Sequence, residues 1–327
     1  MLSFKWKNPH TRRLVFSYGK DWLLVFIMTI VFFMVDLIPP FHREFSLQDT
    51  TIMYTYTENE TVPPWSLALI CLVAPMAVIG LISLCFQRSI HDFHSGVLGL
   101  CLALSMTIML TDIIKITSGR PRPDFISRCQ PPAGSVDPPL GISNVSICTT
   151  PIDSHIMVDG YKSFPSGHSS FSFAGLGYTA FYLGGKMHMF DERGHTYKCF
   201  TFAFPSLGAI LVAISRTCDY RHHWQDVFIG SLLGTIAYFA YRQYYPSLIH
   251  VQCDAPYAMR SLAGSPDLED GGRDDDGNSM GSNNSLGVRI PQHEPYSDYH
   301  LQQQQRNKSP SPPPITFANG SAREDRY

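Results

Sequence analysis

The chain has 327 residues, 44% of them hydrophobic, and a formal net charge of −2. That length could accommodate two ordinary soluble domains, but the apolar residues gather in six blocks nearly free of charge while residues 246–327 hold few, which excludes an evenly patterned soluble fold. No concentrated Lys/Arg patch is present, so nucleic acid is excluded as a partner.

In chain order, residues 1–21 carry Lys5, Lys7, Arg12, Arg13 and Lys20. The apolar blocks follow at 22–38, 66–86, 95–114, 169–185, 200–216 and 227–245. A bilayer core of about 30 Å needs about 20 apolar residues in a helix. The first block is longer than a signal-peptide core and is followed by no small-residue cleavage site, so it reads as a retained span. The fourth block is short and Gly-rich, and the fifth contains Pro205. Both features are tolerated in membrane helices where neighbours satisfy the backbone. The expected fold is an all-α membrane protein: a cytosolic segment at 1–21, six transmembrane helices across 22–245 and a disordered cytosolic tail at 246–327. The tail carries an acidic cluster at Asp274 to Asp276, a glutamine run at Gln302 to Gln305 and the segment SPSPPP at 309–314. Such a composition cannot offset its ordering entropy by burial.

Basic residues before the first span, against Glu44, Asp49, Glu58 and Glu60 after it, put the N-terminus in the cytosol. Six spans then return the C-terminus there and leave the loops at 115–168 and 217–226 on the lumenal or outer side. Two glycosylation sequons, at Asn59 and Asn144, fall on that same side. Cys71, Cys85 and Cys101 lie within spans and read as small hydrophobes. Cys129 and Cys148 share the long extracytosolic loop, as either a disulfide or two free thiols. No Cys/His spacing resembles a zinc site.

Three polar clusters stand at span ends, where charge is costly and marks function. The first runs from Lys115 to Arg120, Arg122 and Pro123. The second is Pro165-Ser166-Gly167-His168. The third holds Ser215, Arg216, His222, His223 and Asp226. The topology brings all three to one face. Lys115, Arg122 and Arg216 suit phosphate oxygens. Ser166 and Gly167 open a helix whose N-terminus attracts anions. His222 and Asp226 are four apart and share a face if helical, so Asp226 is expected to fix the tautomer of His222. This spacing favours His222 over His223 as the nucleophile, with His168 as general acid. Arg120 and His223 rank second.

These clusters resemble the three-part signature of the type 2 phosphatidic acid phosphatase superfamily, shared with vanadium haloperoxidases. The pattern is Lys, six residues, Arg-Pro; then Pro-Ser-Gly-His; then Ser-Arg, five residues, His, three residues, Asp. Lys115 and Arg122-Pro123, then 165–168, then Ser215-Arg216, His222 and Asp226 match it. The resemblance implies a metal-free and cofactor-free lipid phosphatase. In it His222 forms a phosphohistidine, Asp226 orients it, and His168 protonates the leaving oxygen. Lys115, Arg122, Ser166, Gly167 and Arg216 cradle the phosphate. Phosphatidate, diacylglycerol pyrophosphate and lysophosphatidate fit a site at head-group level. The segment from Arg122 to Cys129 also resembles fungal and plant enzymes acting on the pyrophosphate lipid. Sphingoid-base phosphate, polyprenyl pyrophosphate and a catalytically silent lipid-phosphate receptor are the rival readings. The sequence names no protein partner, and it leaves the vacuole, ER/Golgi and plasma membrane equally open.

Overall fold

A computed structural model describes residues 9–191, 195–250 and 252–257. Lys5, Lys7 and the tail motifs at 274–276, 302–305 and 309–314 lie outside the described residues. The regular elements among the described residues are helices, with one isolated antiparallel bridge between Phe45 and Ser143.

Helix α1 is Pro9–Asp36, α2 is Pro64–Phe86 and α3 is Ile90–Ser118. Two short helices, α4 (Phe125–Cys129) and α5 (His155–Gly160), sit in the loop after α3. Then come α6 (Gly167–Lys186), α7 (Thr196–Cys218), α8 (Trp224–Gly234) and α9 (Ala237–Tyr244).

Four segments are long and apolar enough to cross a membrane: Phe16–Asp36, Pro64–Phe86, Ile90–Ser118 and Thr196–Cys218. The expected fourth and sixth spans are helical but of a different character. In α6, 12 of 20 residues are buried, many of them Ser, Thr, Gly or Tyr, because α2, α3, α7, α8 and α9 surround it. A helix enclosed by protein has no need of an apolar face toward lipid. The last block is not continuous, since it breaks at Thr235 and Ile236, between α8 and α9. There the Thr235 hydroxyl donates to the Leu232 carbonyl at 2.6 Å and the next N–H groups make tighter i−3 bonds.

Close helix contact depends on missing side chains. Pro75 cannot donate to the carbonyl of Cys71, and α2 passes through a π-helical segment at Leu69–Val73 just before it. That carbonyl faces Gly175 of α6, where an added Cβ would come within 2.2 Å of the oxygen. Likewise a Cβ at Gly230 of α8 would fall 2.5 Å from the carbonyl oxygen of Ser166, at the start of α6. The α6–α8 contact therefore sets the height of the α6 N-terminus.

At one end of the bundle, the segments 37–63 and 119–166 close over the helices. They share a small core of Phe45, Ile52, Phe125, Cys129, Met157 and Tyr161. A disulfide joins Cys129 to Cys148 across it. At the opposite end, the buried Asp92 of α3 accepts from Lys186, Tyr182 and Tyr245. The expected tail begins too early in the sequence reading. Residues 246–250 and 252–257 fold back on α6, burying Leu248 and Cys253, and Lys186 donates to the Asp254 carbonyl. The few apolar residues just past Pro246 are enough to dock them.

Gly230→Ala is expected to lower both thermal stability and activity, through overpacking of roughly 1–3 kcal/mol. Melting temperature in detergent and phosphate release check this; an unchanged melting temperature would mean that α8 is free to shift.

Candidate active site

Helix α3 ends at Gly119, which has φ +52, a conformation that suits glycine. A Cβ there would also meet the Phe41 carbonyl oxygen at 1.9 Å. The cap places Lys115 in the last helical turn. Its ammonium reaches the start of α6, where a Cβ on Gly167 would lie 3.1 Å from Nζ. Among the described residues no carboxylate lies within salt-bridge distance of Lys115.

Ser166 caps α6 with its hydroxyl, which accepts from the N–H of Ser169, and its own N–H donates to the Asp226 carbonyl at 3.0 Å. The first N–H groups of any helix lack intrahelical partners. Those of Gly167 and His168 remain for an anion, beside the Lys115 ammonium.

His222 is 4% exposed, and its Nδ1 lies 2.6 Å from the carbonyl oxygen of Ser163. A carbonyl only accepts, so Nδ1 carries the proton and Nε2 holds the lone pair. Burial holds the imidazole well below its ordinary pKa of 6.5, and the positive charge of Arg122 and Lys115 pushes in the same direction. His222 is thus a neutral base with a defined tautomer.

The partner expected of His222 is a different group. Helix α8 begins at Trp224 with His223 as its cap, so His222 precedes the helix and the four-residue spacing to Asp226 does not align them. Asp226 instead forms a capping box with His223. It is fully buried and accepts from Arg120 at 2.5 Å, from the Ser163 hydroxyl at 2.6 Å, and from the His223 backbone at 3.2 Å. Asp226 therefore acts on His222 through Ser163: the carboxylate holds the side chain, and the carbonyl of the same residue holds the imidazole. Arg120 and His223, ranked second in the sequence, are partners of Asp226.

The arginines of the expected cradle are both engaged. Arg122 donates to the Asp159 carbonyl and carboxylate and to the Arg221 carbonyl. Asp159 also pairs with Arg128 at 2.9 Å and Arg221 at 3.4 Å. Burial raises the pKa of Asp159, but the three guanidinium groups outweigh it and hold the carboxyl far below the usual range. Arg216, 1% exposed, pairs with Asp219 and with Glu60, each at 2.9 Å. His168 donates from Nε2 to the Val62 carbonyl at 3.0 Å.

The structure thus brings together Lys115, Arg122, Ser166, Gly167, His168, Arg216 and His222, with Asp226 one residue removed. The sequence reading missed Ser163, Asp159, Arg221 and Glu60. Ser163 orients His222 through its backbone, which no side-chain motif encodes. A cavity of about 700 Å³ is lined by Arg120 and His223, the partners of Asp226, together with Arg43, Ser46, Ser118 and Phe164. Among the described residues no group of three or more His, Cys, Asp or Glu side chains is arranged to hold a metal ion.

Residues 96–249 match the family model for the PAP2 superfamily, a span that includes all three clusters. The chain is 42% identical to lipid phosphate phosphatase 2 of Arabidopsis thaliana over 233 residues, covering 69% of this chain and 77% of that one. It is 37% identical to diacylglycerol pyrophosphate phosphatase 1 of Saccharomyces cerevisiae over 262 residues, covering 77% and 88%. A probable diacylglycerol pyrophosphate phosphatase 1 of Schizosaccharomyces pombe is 36% identical over 252 residues, covering 76% and 89%. No solved structure is significantly similar.

Asp159→Ala leaves three guanidinium groups short of a counter-charge and is expected to cost on the order of 3 kcal/mol. The folded-state pKa of Asp159 is depressed, so its stabilisation is present above the ordinary carboxylate range and is lost as pH falls toward the folded value. Wild-type melting temperature should fall across that acid range, and more steeply than that of the variant. Parallel curves would show that Asp159 carries no such role.

Proposed function

The chain belongs to the PAP2 superfamily, among its lipid phosphate phosphatases, and on that premise we propose that it releases phosphate from phosphatidate, diacylglycerol pyrophosphate and related lipid phosphates through a phosphohistidine on His222. It is a multi-pass membrane phosphatase. The observation that carries the proposed mechanism is the Nδ1 contact of His222 with the Ser163 carbonyl, which leaves Nε2 to attack.

The phosphoryl group docks against Lys115 and the N–H groups of Gly167 and His168, within the positive field of Arg122 and Arg216. His222 Nε2 forms the N–P bond as the ester or anhydride P–O bond breaks, and His168, made imidazolium by a second proton that enters with the phosphate, gives that proton to the leaving oxygen. A water then gives its proton to His168 and attacks phosphorus. The N–P bond breaks and inorganic phosphate leaves. Fixed cations neutralise the developing charge, so no divalent metal is required. Ser163 and Asp226 hold the nucleophile and Arg120 holds Asp226.

The remaining readings belong to the same proposal. The bundle crosses the membrane six times, with α6 as the enclosed fourth span and α8 with α9 as a broken sixth. The basic N-terminal segment and the sequons favour a cytosolic N-terminus with the site on the lumenal or outer side. Asn59 and Asn144 are both exposed, as glycan attachment requires. The names of the yeast relatives favour the pyrophosphate lipid as one substrate. The residues past 257 form a cytosolic tail.

His222→Ala is expected to reduce phosphate release to the background of mock membranes, while wild-type activity persists in excess chelator. Full activity in the variant, or loss in chelator restored only by Mg²⁺, would overturn the mechanism. Because His222 stays neutral below pH 6.5 in the free enzyme, inactivation by diethyl pyrocarbonate, which needs an unprotonated imidazole, should continue below that pH. Mapping the adduct to His222 by mass spectrometry checks it; protection that sets in at or above 6.5 would contradict the neutral assignment.

A further inference from the structure

The loop between α1 and α2 places a carboxylate among the site cations. Glu60 Oε2 lies 2.9 Å from Arg216 Nη1 and 3.9 Å from His168 Nε2, and Oε1 lies 2.9 Å from Arg221 Nη2. The loop is anchored on both sides of Glu60. Thr57 accepts from Arg221 through its carbonyl, Thr61 donates through N–H and hydroxyl to Asp219, and the Val62 carbonyl accepts from His168. Glu60 therefore presents two anionic oxygens to two arginines and the acid histidine, as a bound phosphate would. The anchors on Asp219 do not involve the Glu60 side chain, so the carboxylate can swing out without release of the whole loop.

We propose that Glu60 occupies the position of a substrate phosphate oxygen and must be displaced before a phosphate engages Arg216, which makes it the residue that sets the affinity threshold an anion must pass to occupy this site. The inference rests on the site reading given above. Its consequence follows from charge. The membrane surface around the site is crowded with phosphodiester head groups, each bringing one negative charge, no more than the carboxylate already in place. A phosphomonoester or terminal pyrophosphate brings close to two. Displacing Glu60 costs every anion the same amount, so it lowers all affinities together without changing their ratio, and leaves the weaker-binding bulk diesters below the level at which they occupy the site.

Glu60→Gln keeps the shape and removes the charge. In full-length protein in detergent micelles, competitive inhibition constants for inorganic phosphate and for dimethyl phosphate, a soluble monoanionic diester, should both fall by about tenfold. If Glu60 is instead a buttress that orients Arg216, both constants rise; a rise or no change overturns the proposal. A second measurement needs no variant. Carbodiimide labelling of Glu60 in the wild-type protein, followed by mass spectrometry, should accelerate when inorganic phosphate is added. Slower or unchanged labelling also overturns it. The His222→Ala variant separates the two levels. If it is inactive and Glu60 fails both tests, only this inference falls; if it is active, the site reading falls first.

Discussion

A site that grips phosphate must store positive charge where water is scarce, and most of the polar structure at this end of the molecule follows from that constraint. Isolated buried charge is expensive, so each cation needs a counter-charge or an open face. Arg122 and Arg128 share Asp159, Arg128 also holds Asp124, Arg120 holds Asp226, and Arg216 stands between Asp219 and Glu60. Lys115 is the site cation left for the substrate among the described residues. The loops that supply these carboxylates are tied down by their own core and by the disulfide. The scaffold of the site is therefore a balanced charge lattice, and His222, the proposed nucleophile, is neutral within it.

The lattice also explains how the proposed nucleophile is aimed. A carboxylate bonded directly to His222 would add negative charge beside the attacking imidazole. Here a neutral carbonyl receives the Nδ1 proton, and the carboxylate of Asp226 fixes that carbonyl from one residue away, with Arg120 as its counter-ion. The imidazole is oriented through the backbone, while the nearby charge of Arg122 and Lys115 keeps its lone pair unprotonated.

Much of this was legible in the chain before any coordinates. Long apolar runs identify α1 and α2, which present broad faces outward, α3, which is apolar but largely enclosed, and α7, whose run is interrupted by Pro205. The block that forms α6 reads more weakly because its buried residues are small and polar, chosen for close packing. The break after Gly234 is hidden inside an apolar run and depends on a hydroxyl bonding back to the helix. At the site, side-chain chemistry at fixed spacing pointed to Lys115, His168, Arg216 and His222. The pairing of His222 with Asp226 was misread because it assumed that the helix begins one residue earlier than its cap, His223, allows. Ser163 acts by its carbonyl, and Glu60 arrives from a loop about 100 residues away in sequence from His168. Neither leaves a local signature.

The central claim, that His222 Nε2 takes the phosphoryl group, is tested most directly by rapid-quench trapping. Full-length enzyme is mixed with phosphatidate carrying radiolabelled phosphate and quenched in alkali, which preserves phosphohistidine, and the labelled peptide is mapped. The account predicts label on His222, at its Nε2 nitrogen. Label on His168 or His223, or single-turnover hydrolysis with no label on protein at any time, would contradict it.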